Sequence, residues 1–208
     1  MIMHTEFIES KCDLYLVRHG ETVWNQERKL SGHSDIPLTP KGEAQALQTA
    51  EKLRRVNFTA AFSSDLSRAC RTAEIIMMGR DVPVQTTTAL RERNFGQFEG
   101  STHEIVLALQ MNNYDYTNFK PDSSFETDDE VNARVVPFLS KIATENLGQA
   151  VLVSTHYGII RLLLVRLDVI SRRDFPRIEN GAYLRLAYSS ACFSIDDFFG
   201  IDIKLGSD

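Results

Sequence analysis

Leu14-Tyr15-Leu16-Val17 runs straight into Arg18-His19-Gly20, and this join decides how the chain is read. Four apolar residues without polar alternation fit a strand covered on both faces, and the glycine marks where it ends. Similar short runs recur at Phe58-Thr59-Ala60-Ala61-Phe62, near Val82 to Thr86, at Ala150-Val151-Leu152-Val153-Ser154 and at Tyr183 to Tyr188. Longer helical patterns separate them. That alternation predicts parallel βαβ units and an α/β fold, a three-layer sandwich with a mostly parallel central sheet flanked by helices.

The helical patterns carry their own punctuation. Thr39-Pro40 reads as an N-cap and first helical position, followed by an apolar stripe at Ala44, Leu47, Ala50 and Leu53. A helix from about Ser67 to Met78 would place Ala69, Ala73 and Ile76 inward. Thr127-Asp128-Asp129-Glu130 is a capping box opening a helix with Val131, Val135, Phe138 and Leu139. An apolar helix is expected over Ile159 to Val169. Between Ser101 and Lys120 polar and aromatic residues mix without clear period, and we read about 101–127 as a small helical cap over the site. The tail, Phe193 to Asp208, sets Phe198 and Phe199 among acidic residues, and its packing is not legible.

The 208 residues suit one sizeable domain, 1–208, because two halves would each have a thin core. A net charge of -5 excludes a general affinity for nucleic acid or an anionic membrane. Any anion must therefore be held by a local cluster. No stretch approaches the roughly 18 to 20 apolar residues that span a bilayer. Cys12, Cys70 and Cys192 are odd in number and far apart, which fits reduced thiols of a cytoplasmic protein rather than a disulfide framework or zinc site.

The reactive residues fall in one kind of place. Arg18 and His19, Arg68, and His156 each follow the C-terminal end of a separate apolar strand, directly or within a turn. Open parallel sheets bind ligands outside those ends, so one crevice can gather all four into a pocket for a dianion. Arginine's planar fork suits phosphate oxygens. A neutral histidine can take a phosphoryl group, and an acid must then protonate the leaving oxygen. Glu92, within Leu90-Arg91-Glu92-Arg93-Asn94-Phe95-Gly96, is the candidate.

The motif Leu16-Val17-Arg18-His19-Gly20-Glu21-Thr22, with Trp24-Asn25 after it, resembles the signature of the histidine phosphatase superfamily. The likeness continues through Leu30 to Thr39, Phe62 to Ala73, Leu90 to Gly100, Glu126 to Arg134 and Val153 to Gly158, and weakly at Asn180-Gly181. It implies a phosphoglycerate mutase-like fold with His19 as the phosphorylated nucleophile. Arg18, Arg68 and His156 would hold the phosphoryl group, Glu92 would donate the proton, and Asn25 would add a phosphate contact. Ser31 and Gly32 would line the mouth. The family works without a metal, and no cofactor is implied. Thr155-His156-Tyr157-Gly158 departs from the family's usual Ser-His-Gly: Thr155 keeps a hydroxyl and Tyr157 would narrow the site. The insertion after Arg93 is shorter than in cofactor-dependent mutases, and Glu99-Gly100 resembles the phosphatase members.

The resemblance therefore favours hydrolysis of a small phosphomonoester over phosphoglycerate mutase chemistry, with a non-catalytic phospho-partner-binding protein as the third reading. Blander readings stand beside it. Alone, Arg-His-Gly is a turn, Arg68 a solvated helix residue, and Glu92 a partner of the flanking Arg91 or Arg93. His33 and His103 read as loop residues. Arg166, Arg172, Arg173 and Arg177 read as a solvated face. Lys29, Lys120 and Arg93 are the cations near enough to serve a second phosphate. Oligomeric state is not legible.

Overall fold

A computed structural model describes residues 10–102, 104–105, 120 and 122–203. Its strands are β1 Cys12–Arg18, β2 Phe58–Ser64, β3 Val84–Thr87, β4 Ala150–Thr155, β5 Ile178–Ser189 and β6 Cys192–Ile201. They form one six-stranded sheet in the order β3-β2-β4-β1-β5-β6. The pairings from β3 to β1 are parallel, and β5 and β6 add antiparallel. The sheet is mostly parallel, as expected: three of its five pairings, joining β3, β2, β4 and β1, are parallel.

Helices α1 Val23–Gln26, α2 Pro40–Lys52, α3 Ser67–Met77, α4 Asp128–Glu145 and α5 Tyr157–Arg166 connect the strands. The unalternated apolar run of β1 serves both faces. Tyr15 and Val17 pack with Leu53 at the end of α2 and with Ala73 and Ile76 of α3. Leu14 and Leu16 join Val131, Val135 and Leu139 of α4 and Ile159, Ile160 and Leu163 of α5. Two helical layers therefore cover the sheet. Among the described residues no helix is long and apolar enough to cross a membrane.

Two expectations need correction. Of the α2 stripe, Ala50 and Leu53 face the core as read, but Ala44 is exposed and Leu47 is 54% exposed, and the buried positions within the helix are Gly42, Ala46 and Thr49. Small residues won because that face meets backbone. A Cβ at Gly42 would lie 2.2 Å from the Glu21 carbonyl oxygen, and one at Gly20 would lie 2.2 Å from that of Gly42. Thr49 Oγ1 also donates to the Gly181 carbonyl at 2.7 Å. Second, α5 ends at Arg166, where Asp168 turns to φ 56°. The tail, whose packing is not legible in the sequence, contains most of strand β6. Ser190 and Ala191, at φ 49° and 60°, make the two-residue turn that folds β6 back on β5. Phe198 then packs on the core, while Phe199 lies under Lys52 Nζ at 3.9 Å from its ring centroid.

The capping box at Thr127 and Glu130 forms as read. The proposed cap falls mostly outside the described residues, and so does His103.

Candidate active site

The site is built where β1 and β4 end side by side. Arg18 pairs in register with Thr155, and the His19 N–H donates to the Thr155 carbonyl at 3.0 Å. His19 and His156 thus leave neighbouring strands together, with ring centroids 5.1 Å apart. On the other side of β4, β2 delivers the chain into α3 and hence Arg68. His19 is 4% exposed; Arg68 and His156 are 0% exposed.

His19 is oriented by its own turn. Its Nδ1 lies 2.7 Å from the Gly20 carbonyl oxygen, which can only accept, so Nδ1 carries the proton and Nε2 the lone pair. The Gly20 N–H donates to Thr72 Oγ1, which donates to the Arg68 carbonyl. Burial, then the charges of Arg68 and Arg18, holds the His19 imidazole well below its ordinary value. Burial likewise lowers His156, followed by Arg68 and His19.

Each arginine is gripped at its far end. Arg68 donates from Nη1 to the Ser34 carbonyl at 2.8 Å and from Nη2 to the Gly32 carbonyl at 2.7 Å. Glu99 fixes that loop by accepting from the His33 and Ser34 N–H groups at 2.8 Å and 2.7 Å. Arg18 donates through Nη1 to the Ile178 carbonyl and sits 5.5 Å from the Tyr157 ring centroid. What remains is telling. Of the described residues, Arg18 Nε, Arg68 Nε, Ser31 Oγ and both ring nitrogens of His156 are buried with no hydrogen-bond partner. Leaving such a group unpaired costs about 1–3 kcal/mol, so five in one place mark a site shaped for a polar ligand.

Glu92 is 8% exposed and faces this cluster, its charge acting on both Arg18 and Arg68. Its carboxylate accepts from the Arg93 N–H at 2.8 Å and from the Gly158 N–H, at the start of α5, at 2.9 Å. A Cβ at Gly158 would lie 2.2 Å from Glu92 Oε1, which explains the glycine. The flanking arginines do not pair with it. Arg91 forks onto Asp65 at 2.8 Å and 2.5 Å, and Arg93 pairs with buried Asp128.

Other expected positions play different parts. Asn25 Oδ1 accepts from the Thr22 N–H and from Asn180 Nδ2, which also donates to the His19 carbonyl at 3.1 Å. Asn180, only weakly marked in the sequence, thus ties β5 to His19. Thr155 Oγ1 donates to the Leu90 carbonyl at 3.0 Å, and the Tyr157 hydroxyl donates to that of Pro176 at 3.2 Å. Both hydroxyls therefore brace the site instead of facing the pocket. His33, expected as a plain loop residue, donates from Nε2 to the Glu92 carbonyl at 3.0 Å. Among the described residues, no three His, Cys, Asp or Glu side chains are grouped to hold a metal ion.

The chain is similar to known proteins over most of its length. Over 176 residues the chain is 33% identical to 2,3-bisphosphoglycerate-dependent phosphoglycerate mutase 2 of Gloeobacter violaceus, covering 80% of each. Its structure is similar to phosphoserine phosphatase of Entamoeba histolytica, with a TM-score of 0.75 and 27% identity over 90% of this chain and 96% of that one. A mycobacterial glucosyl-3-phosphoglycerate phosphatase gives 0.78 and 25% over 88% and 96%. Residues 14–199 match the family model that describes branch 1 of the histidine phosphatases, and this stretch holds every residue placed around His19 above. The chain belongs to the histidine phosphatase superfamily.

Proposed function

We propose that the protein hydrolyses a small phosphomonoester through a phosphohistidine at His19. The observation that carries this reading is the set of unpartnered polar atoms on Arg18, Arg68 and His156 around a histidine whose Nε2 lone pair is available. Arg18 Nε, Arg68 Nε, the ring of His156 and the amide nitrogen of Asn25 neutralise and orient the phosphoryl oxygens. His19 Nε2 forms the P–N bond as the ester P–O bond breaks. The leaving oxygen takes a proton from Glu92. Water then attacks phosphorus, gives a proton to Glu92 and breaks the P–N bond, releasing inorganic phosphate.

Hydrolysis is favoured over transfer to a second substrate by the surrounding cations. Lys29 pairs with Glu27 at 2.7 Å, Lys120 with Glu130, and Arg93 with Asp128, so the three candidates for a second phosphate are already engaged. The mutase relative keeps phosphoglycerate mutase chemistry as the second reading. The three cysteines are free, in keeping with a cytoplasmic enzyme.

Wild type and His19→Ala are compared on 3-phosphoglycerate, phosphoserine and sugar phosphates, in chelator, with and without bisphosphoglycerate. Phosphate release that disappears in His19→Ala is the expected result. Interconversion of phosphoglycerates without release would establish the mutase. Activity surviving in His19→Ala would overturn the mechanism.

A further inference from the structure

Glu92 lies in a segment without helix or strand, between the 3-10 turn at Thr88–Leu90 and a second one at Gly96–Phe98. No ladder of backbone hydrogen bonds fixes it, yet a proton donor must be held to within about 0.5 Å. Something else must do this.

One guanidinium does most of it. Arg134, in the second turn of α4, donates from Nη1 to the Ala89 carbonyl at 2.9 Å and the Arg91 carbonyl at 2.7 Å. Its Nη2 donates to the Glu92 carbonyl at 2.9 Å. Three carbonyls of the acid's own segment converge on a single side chain. Glu126 clamps that side chain from behind, accepting from Nε and Nη2, each at 2.8 Å. Glu126 also exchanges backbone and side-chain bonds with Asn94: its N–H donates to the Asn94 carbonyl at 2.9 Å, and its Oε2 accepts the Asn94 N–H at 2.9 Å. The segment and the turn before it are thus tied at Ala89, Arg91, Glu92 and Asn94 by one ion pair, beside the His33 bond to the Glu92 carbonyl and the Gly158 bond to its carboxylate. A planar fork is needed here, because an ammonium cannot span carbonyls spread over three residues while facing a carboxylate.

We propose that Arg134, clamped by Glu126, is the positioning residue that holds Glu92 at the oxygen it protonates. It does not itself touch the substrate. This rests on the reading of Glu92 as the proton donor.

Leaving groups separate the possibilities. 4-Nitrophenyl phosphate expels a stable phenolate and needs little help from an acid. Phosphoserine or 3-phosphoglycerate, whichever the wild type hydrolyses faster, needs the proton. Rates on both are measured for Glu92→Gln, Arg134→Lys, Glu126→Gln and the double variant Glu92→Gln/Arg134→Lys, with thermal unfolding to establish that each is folded. Glu92→Gln is expected to lower kcat/KM, which reports transfer to His19 and not the later hydrolysis common to both esters, roughly a hundredfold or more on the alkyl ester and much less on the aryl ester. Arg134→Lys should lower kcat/KM on the alkyl ester about tenfold or more and spare it on the aryl ester. The double variant should be no slower on the alkyl ester than Glu92→Gln alone, because Arg134 acts only through Glu92.

Equal losses on both esters in Arg134→Lys, or a double variant slower by the product of the two single losses, would overturn the positioning role while leaving the proton donor intact. Equal losses on both esters in Glu92→Gln would remove the donor reading and this inference with it. If Arg134→Lys does not fold, Glu126→Gln carries the same comparison, since it keeps the backbone bond to Asn94 and removes the charge pair.

Discussion

His19 and His156 stand 5.1 Å apart beside two buried arginines, a setting that opposes any proton on either ring. Both imidazoles are therefore neutral in the free protein at neutral pH, which leaves the His19 lone pair available. A phosphoryl dianion would reverse the field that the arginines set up and draw a proton onto His156. Sulfate, a dianion throughout this pH range, should accordingly bind with proton uptake near pH 6.5. Calorimetry in buffers of differing ionisation heat measures this directly, and binding without uptake would show that the arginines do not control the pair. Arg18, His19 and His156 were legible in the sequence because apolar runs announce the strand ends that carry them. Arg134 was not legible as a working residue. Its value comes from carbonyls of residues 89–92, which no sequence pattern places beneath it.

At the scale of elements, periodicity located the helices better than it oriented them. The face of α2 is set by how near one backbone must come to another, and the small size of Gly42 and Ala46 gave no apolar signal. The β5–β6 turn was missed for a related reason. Hairpins of this kind are usually announced by Asn-Gly or Asp-Gly, whereas here Ser190 and Ala191 adopt φ 49° and 60°. A left-handed residue with a Cβ costs about 1–2 kcal/mol. Ala191→Gly should recover part of that, about 0.5–1 kcal/mol after the extra chain entropy of glycine. Thermal unfolding should rise by about 2 °C for a chain of this size. A lower midpoint would mean that the turn is held by contacts of the Ala191 methyl group.

The whole molecule carries net charge -5, and its response to acid follows from the burial of its two site histidines. His19 and His156 have folded-state values well below the ordinary 6.5. The unfolded chain therefore binds more protons below about pH 6.5, and stability that is full above that pH is lost as the pH falls. Each histidine contributes a slope of about 1.4 kcal/mol per pH unit in that window. Urea unfolding from pH 7.5 to 5.5 should show the decline, and His156→Gln should make it shallower. A flat profile would contradict the neutral, buried pair. The doubly covered parallel half of the sheet was readable at this scale from its strand–helix alternation. The antiparallel hairpin that widens the sheet was not, since acidic Asp196 and Asp197 interrupt the apolar pattern of β6.

The described residues on either side of 103–121 are moored at fixed points. Leu30 exchanges backbone hydrogen bonds with Ser101 and Gly100 at 2.9 Å and 2.8 Å, and Glu126 holds Asn94. Both moorings belong to the frame that carries Arg68 and Glu92. Codons between them can be gained, lost or rewritten while the moorings keep the reacting groups in place.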